Sequence, residues 1–284
     1  MDKIFRLIGK QDWLRFGIRD RLIRKYCNPD TIPSKEFETD FFDLKYMGNL
    51  GSYIDWNVYF YGAYEKQILF LCRDLVKKSN NPIFVDVGAN VGHHSLYMSK
   101  YCDSVHSFEP NPSLILKIEE KIKMNAAKNM FVHNVGLGEK NIRLPYFSPQ
   151  GCNKGTGSFI QNYSANNSEK SELLQVVNGD EYISKLELKN IDLIKIDVEG
   201  FEKNVLIGLN KTIKKYKPKI VLEYGASTKN SFSDLNEFIE LIPKEYKIME
   251  IITDRPRYKL FNSTQYKLQN FDFNITGNLL LFPT

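Results

Sequence analysis

Asp86-Val87-Gly88-Ala89-Asn90-Val91-Gly92 sets an acid directly before a turn bracketed by glycines, and Glu109 follows 23 residues after that acid. Glycines in such a turn let the backbone approach a ligand with no Cβ in the way. A carboxylate at the end of the next strand can accept hydrogen bonds from both hydroxyls of a ribose. Dinucleotide sites use similar logic, so the details must discriminate. A pyrophosphate nestles against bare backbone at a helix N-terminus, which requires G-x-G-x-x-G. Here the spacing is G-x-x-x-G with Asn90 in the middle. Asp86 would repel a pyrophosphate but suits the methionyl ammonium of S-adenosylmethionine. The alternative is a glycine turn with no ligand, and Glu109 weighs against it.

A second acidic cluster is built from Asp197 and Glu199, which leave a strand together with Val198 between them and Gly200 behind. Two carboxylates at a strand end are costly unless water, a cation or a substrate satisfies them. Beside a methyl donor, Asp197 is the candidate base or base-positioning group for an acceptor hydroxyl, and Glu199 would orient the substrate. Lys195, two residues earlier on the same strand face, either joins that chemistry or forms an internal ion pair. Glu223 ends the following strand and faces the same cleft. Asp197 and Glu223 are an alternative divalent-metal pair, disfavoured because no histidine lies near either segment.

These residues need a scaffold, and from Pro82 onward strands and helices alternate as in a parallel sheet covered on both faces. Apolar runs at 83–87, 104–108, 131–135, 193–198 and 220–223 read as strands. Helices are expected at 93–101, 112–125, 201–215 and 233–242. Asn111 can cap the second of these, with Pro112 at its first position. Strands at 247–252 and 278–282 have no crossover helix between them and should pair antiparallel. The expected fold is therefore α/β, Rossmann-like, with a mostly parallel seven-stranded sheet, an antiparallel C-terminal strand and helices on both faces. Residues 141–178 read as a small strand pair and a loop carrying Gly151, Gly155 and Gly157. Residues 37–64 read as an aromatic-rich strand or hairpin region leading into a helix over 64–78.

The first 36 residues form a separate N-terminal helical arm, followed by one domain over 37–284 whose sheet begins near residue 82. Residues 1–26 hold eight basic side chains (Lys3, Arg6, Lys10, Arg15, Arg19, Arg21, Arg24, Lys25) against Asp2, Asp12 and Asp20, a surplus equal to the whole chain's +5. Ile4, Leu7, Ile8, Leu14, Ile18 and Leu22 recur at helical spacing. The arm is expected to pack on the domain or on a second subunit, or to contact an anionic membrane surface or acidic glycan. A basic stripe around the catalytic domain, as nucleic-acid enzymes show, is absent. No secretory leader or membrane span is apparent, and Cys27, Cys72, Cys102 and Cys152 are too scattered for a disulfide framework. A cytoplasmic protein is expected.

Four segments together resemble the FkbM family of methyltransferases: 84–92 (FVDVGANVG), 108–112 (FEPNP), 133–138 (HNVGLG) and 191–202 (IDLIKIDVEGFE), with Tyr61-Gly62-Ala63-Tyr64-Glu65 as an approach. The resemblance covers roughly 55–282 and leaves the basic arm outside. It departs from the family pattern at Gly136 and at Asn178-Gly179-Asp180. It implies the class I methyltransferase fold, S-adenosylmethionine as donor, and usually O-methylation of a hydroxyl on a sugar or glycosylated natural product. By position it implies that Asp86 faces the methionyl amine and that Gly88, Ala89, Asn90 and Gly92 form the turn. Glu109 would hold the ribose beside Pro110, and Val135-Gly136 would border the adenine. Glu65 or the neighbouring tyrosines would cover the methionine end, with Tyr59, Tyr61 and Tyr64 offering a π-face to the sulfonium. His94 would touch the cofactor's carboxylate or serve as a structural histidine.

Competing classes lack their own signatures. An amino-methylating nucleic-acid enzyme needs N/D-P-P-Y where this chain has Asp197-Val198-Glu199-Gly200, and base C5 methylation needs a Pro-Cys nucleophile, which is missing. A nicotinamide oxidoreductase lacks its glycine pattern. A non-catalytic binding protein is disfavoured by the intact acids Asp86, Glu109, Asp197 and Glu199. The expected partner is a small-molecule or glycan acceptor, and no nucleic acid.

Overall fold

The computed structural model describes residues 2–11, 14–147, 157–160, 171–253, 266–272 and 276–284. Its centre is β3 (Ile83–Val87), buried along its whole length. Parallel partners flank it, β4 (Ser104–Phe108) on one side and β9 (Leu193–Ile196) on the other. The chain runs outward from β3 through β4 to β5 (Met130–His133), then returns to the opposite side of β3 to begin β9 and β10 (Lys219–Tyr224). The strand order therefore switches direction between β3 and β9, and in open parallel sheets ligands sit beyond the carboxyl ends at that switch.

Antiparallel strands close the other edge. β13 (Gly277–Pro283) lies between β10 and β11 (Tyr246–Thr253), pairing antiparallel with both. β12 (Tyr266–Asn270) then adds an eighth strand outside β11, one more than the sequence indicates. Its residues are mostly exposed and polar, so no apolar period marks it. The segment between β11 and β12, residues 254–265, lies outside the described residues.

Strand alternation divides the core into two layers. Val85, Val87, Ile194, Ile196, Ile220 and Leu222 face α8 (Glu202–Gly208), α9 (Asn210–Tyr216) and α11 (Leu235–Leu241). Phe84, Val105, Leu193 and Val221 face α4 (Lys66–Val76), α5 (His93–Met98) and α6 (Pro112–Asn125). The helix expected over 201–215 is thus two short helices meeting at Leu209. α6 begins as expected, with the Asn111 side chain accepting from Ser113 N at 2.9 Å and Pro112 in the first turn. It stops at Ala126, whose φ is +47°.

The polar 141–178 stretch supplies β7 (Ile142–Phe147) and β8 (Ser171–Asn178), an antiparallel pair to which β6 (Gly136–Gly138) adds a parallel strand. Gly151 and Gly155 lie outside the described residues. The 37–64 region divides differently from expectation. A hairpin, β1 (Glu36–Phe41) with β2 (Leu44–Asn49), precedes a helix, α3 (Tyr53–Tyr61). Ser52 caps α3 and Gly62, at φ +84°, ends it. The aromatic run that reads as a strand is helical because Trp56, Phe60 and Tyr61 bury on one side against the N-terminal helices.

Those are α1 (Asp2–Gly9) and α2 (Phe16–Tyr26). Arg19, buried, donates to the Gly9 carbonyl, and Phe5 stacks on Tyr26 with centroids 5.3 Å apart, so the two helices run past each other in opposite directions. Their inward residues are Phe5, Phe16 and Ile23, packed with Trp56 and Phe60. Ile4, Leu7 and Ile18, part of the expected apolar stripe, instead point to solvent. No described helix is long and apolar enough to cross a membrane.

Candidate functional site

The two halves of the site meet where β3 and β9 end. Asp197 N donates to the Val87 carbonyl at 3.0 Å, and the Asp197 carbonyl lies against Gly88. A Cβ on Gly88 would stand 1.9 Å from that oxygen, and its φ is +83°. Only glycine lets the two loops touch there. Two spaces open at this contact, and both are lined by Gly88, Asn90, Asp197 and Glu199.

The first space is bordered by Phe108, Glu109, Pro110, Gly136, Leu137, Tyr146, Phe159 and Phe201. Glu109 is 4 % exposed. Its Oε2 accepts from Asn90 N and its Oε1 from Asn111 N, each at 2.9 Å. One carboxylate thus ties the glycine turn to the cap of α6 and keeps lone pairs toward the space. Burial pushes this carboxyl up to about 7, although the two N–H groups hold it down. Val135 itself is buried behind Gly136, which forms the wall. Tyr146, Phe159 and Phe201 form an aromatic side, with centroids 5.4 and 5.3 Å apart along the chain of contacts. Sequence reasoning missed this wall. Its one signal is Gly157, which lies flat against the Tyr146 ring because a Cβ would meet that ring at 2.3 Å.

The second space is bordered by Tyr53, Ile54, Tyr64, Ala89, His93, His94, Lys195 and Glu223. Lys195 Nζ stands 2.6 Å from Asp197 Oδ2, so Lys195 does form an internal ion pair, at the floor of the cleft. Burial would discharge the ammonium, but Asp197, Asp86 and Glu65 outweigh it and hold the lysine above its ordinary range. Burial likewise opposes charge on Asp197, and Lys195 outweighs it, keeping that carboxyl below its usual value. Glu223 hydrogen-bonds Asp197, and two carboxyls can do so only by sharing a proton. The Asp197 charge, then burial, push Glu223 up to about 10, so Glu223 carries that proton. With Lys195 on one oxygen and Glu223 on the carboxylate, a divalent metal on the Asp197–Glu223 pair would have to displace both. Among the described residues no group of three His, Cys, Asp or Glu is arranged to hold a metal.

His93 and His94 are each 3 % exposed, and their Nε2 atoms have no hydrogen-bond partner. Burial drives His93 down to about 3 and His94 well below its ordinary value, so both rings are neutral. Glu65 Oε2, also without a hydrogen bond, lies 3.8 Å from His94 Nε2. Burial raises the Glu65 carboxyl to about 7, and Asp197 adds to the rise. The two imidazole nitrogens belong to residues that border the second space, whereas Glu65, expected beside the cofactor, borders neither space.

Asp86 is elsewhere. It shares a strand face with Phe84, so it points under α5, where Ser95 donates to its Oδ2 at 2.6 Å. It lines neither space, is 1 % exposed, and is the cross-strand neighbour of Lys195. The structure therefore corrects the expectation that it faces a ligand ammonium: strand alternation turns it inward, where it anchors α5 and helps hold the Lys195 charge. Tyr59 and Tyr61 are likewise not in the site. Tyr59 packs on Phe37, and Tyr61 donates to Asp20 at 3.0 Å. Tyr64 lines the second space with Tyr53, which the sequence reading did not single out.

Glu202 is a further missed residue. Fully buried, it accepts from Val198 N at 2.9 Å, Gly200 N at 3.2 Å and Thr228 Oγ1 at 2.8 Å. It fixes the turn in which Glu199 (φ +53°) and Gly200 (φ +100°) are left-handed. Ser158 Oγ adds a bond to the Glu199 carbonyl at 2.8 Å. The signal was present: a carboxylate two residues after a glycine, at the first turn of a helix.

Residues 86–247 match the model of the methyltransferase FkbM domain. "Methyltransferase 1" of Beauveria bassiana is 26% identical over 189 residues, covering 55% of this chain and 73% of that protein. The hexuronic acid methyltransferase AglP of Haloferax volcanii is 25% identical over 139 residues, covering 49% of this chain, which spans about half (54%) of that protein. Among solved structures, a methyltransferase FkbM from Methylobacillus flagellatus is similar with a TM-score of 0.44 and 20% identity, over 71% of this chain and 43% of that one.

Proposed function

The chain belongs to the FkbM methyltransferase family, and we propose that it transfers a methyl group from S-adenosylmethionine to a hydroxyl of a sugar, glycan or glycosylated small molecule. The carrying observation is the contact of Gly88 with the Asp197 carbonyl, which sets the Glu109 space and the Lys195–Asp197–Glu223 cluster against each other. The residues fit the donor. Glu109 offers acceptors to two ribose hydroxyls, and Pro110, Gly136, Leu137 and Phe108 offer an apolar slot for a purine. The unsatisfied Nε2 atoms of His93 and His94, which border the second space, suit the polar groups at the methionine end. When bound, the donor supplies an electrophilic methyl on a sulfonium.

The chain's own residues do the rest. Asp197 accepts the hydrogen bond of the acceptor hydroxyl and aims its oxygen toward the methyl. As the carbon–oxygen bond forms and the carbon–sulfur bond breaks, the hydroxyl proton passes to the Asp197–Glu223 pair, which then holds two protons and returns one to water. Lys195 keeps Asp197 ionised and fixed beforehand, so alignment contributes much of the acceleration. Glu199, on the rim of both spaces, orients the acceptor. The hexuronic acid specificity of one relative supports a sugar-borne acceptor.

Incubating the protein with labelled donor and cell extracts, nucleotide-activated sugars or polymeric sugars tests the reading. Base-stable label should enter a sugar fraction. Asp197→Ala should bind donor normally and lose turnover by about 10²–10⁴-fold. Full activity in that variant would refute the assignment of Asp197, and binding of NAD in place of the donor would refute the reading as a whole.

A further inference from the structure

The outward side of the α1–α2 pair is neither core nor site. Ile4, Leu7 and Ile18 are 62, 65 and 58 % exposed there. Helical phase places Lys3 beside Leu7 on α1, and Arg21 and Lys25 beside Ile18 on α2; all three basic residues are exposed. The acid Asp20 is turned the other way, held by Arg24 at 2.9 Å and by Tyr61. Because the helices lie side by side, large apolar side chains and cations alternate across one face while the described counter-charge sits beneath it. Elsewhere the chain's charges balance, so the surplus of +5 is concentrated on this arm.

We propose that this face docks on an anionic membrane leaflet, with Ile4, Leu7 and Ile18 entering the headgroup boundary and Lys3, Arg21 and Lys25 meeting lipid phosphates. A second copy of the chain is the weaker occupant, since an identical basic face would repel itself, whereas anionic lipid complements both its apolar and its charged parts. One hydrogen bond joins the docking helices to the second space. Arg24, on the inner side of α2, donates to the Tyr53 hydroxyl at 3.0 Å, and Tyr53 lines the second space. A protein lying on this face therefore holds one residue of the second space from the helix that touches the bilayer.

The test is co-sedimentation of the full chain with vesicles, which needs neither donor nor acceptor and so stands or falls apart from the proposed methyl transfer. Vesicles of equal parts phosphatidylcholine and phosphatidylglycerol should pellet the protein, pure phosphatidylcholine should not, and high salt should release it. Leu7→Gln combined with Ile18→Gln should reduce binding at least about tenfold with the melting temperature shifted by no more than a few degrees, because both side chains are mostly exposed and Gln keeps a helix former at each position. The proposal is overturned if the wild type stays in the supernatant with the mixed vesicles, or if the double variant pellets equally well. It is also overturned if the wild type sediments as a dimer that this variant dissociates, since a second copy would then cover the face.

Discussion

Donor binding should weaken as the solution is acidified through neutrality, because Glu109 must be ionised to receive ribose. The carboxyl is 4 % exposed and burial lifts it to about 7 in the free protein. Its pKa is raised on folding, so Glu109 stabilises the free protein below the ordinary carboxylate range, and that contribution is lost as pH rises through about 7. Ribose reverses the preference, since its two hydroxyls donate and the ionised carboxylate only accepts. Apparent affinity scales with the competent fraction, which falls from about nine-tenths at about pH 8 to about one-tenth at about pH 6, a roughly tenfold loss. Calorimetric titration with S-adenosylhomocysteine across that range reads the slope. Glu109→Gln should bind more weakly and lose the slope, since the amide does not titrate and gives up one of the bonds to Asn90 N or Asn111 N. Glu65 is also raised to about 7 but borders neither space, so Glu65→Gln is the needed control and should keep the slope. A pH-independent affinity in the wild type, or an unchanged slope in Glu109→Gln, would refute the reasoning.

Three further outcomes follow from the same geometry. Glu223→Gln can still donate to Asp197, so it should retain activity within a few fold near neutrality, whereas Glu223→Leu should lose it; equal loss in both would remove the shared proton from the account. Glu202→Ala strands the Val198 and Gly200 N–H groups and leaves the Thr228 hydroxyl only the more distant Glu223 carbonyl, and should cost about 2–5 kcal/mol in denaturant unfolding. A cost below about 1 kcal/mol would mean the Glu199 turn holds itself. Gly88→Ala sets a Cβ against the Asp197 carbonyl and should lower both melting temperature and donor affinity; an unperturbed variant would contradict the close approach of β3 and β9.

Most of the sheet is legible in the sequence because its central strands are short apolar runs closed by acids and glycines, as at Ile83–Val87. β12 is not, because an exposed edge strand carries no apolar period. Types and spacing identify Glu109, Asp197, Glu199 and Glu223 as residues of one cleft. They misplace Asp86: a motif position says that an acid precedes the turn, but strand parity decides which layer it enters. The aromatic run of α3 looks like a strand because β-formers dominate it, and burial against the arm decides otherwise. Tyr53, His93 and Phe159 escape notice because they come from three separate segments and converge only in the fold.

A crystal structure with S-adenosylhomocysteine tests the central claim most directly. The account predicts both ribose hydroxyls on Glu109, the purine between Phe108, Pro110 and Leu137, and the sulfur beside Gly88 facing the Asp197–Glu223 pair. A nucleoside bound away from Glu109, or a sulfur turned away from Asp197, would contradict it.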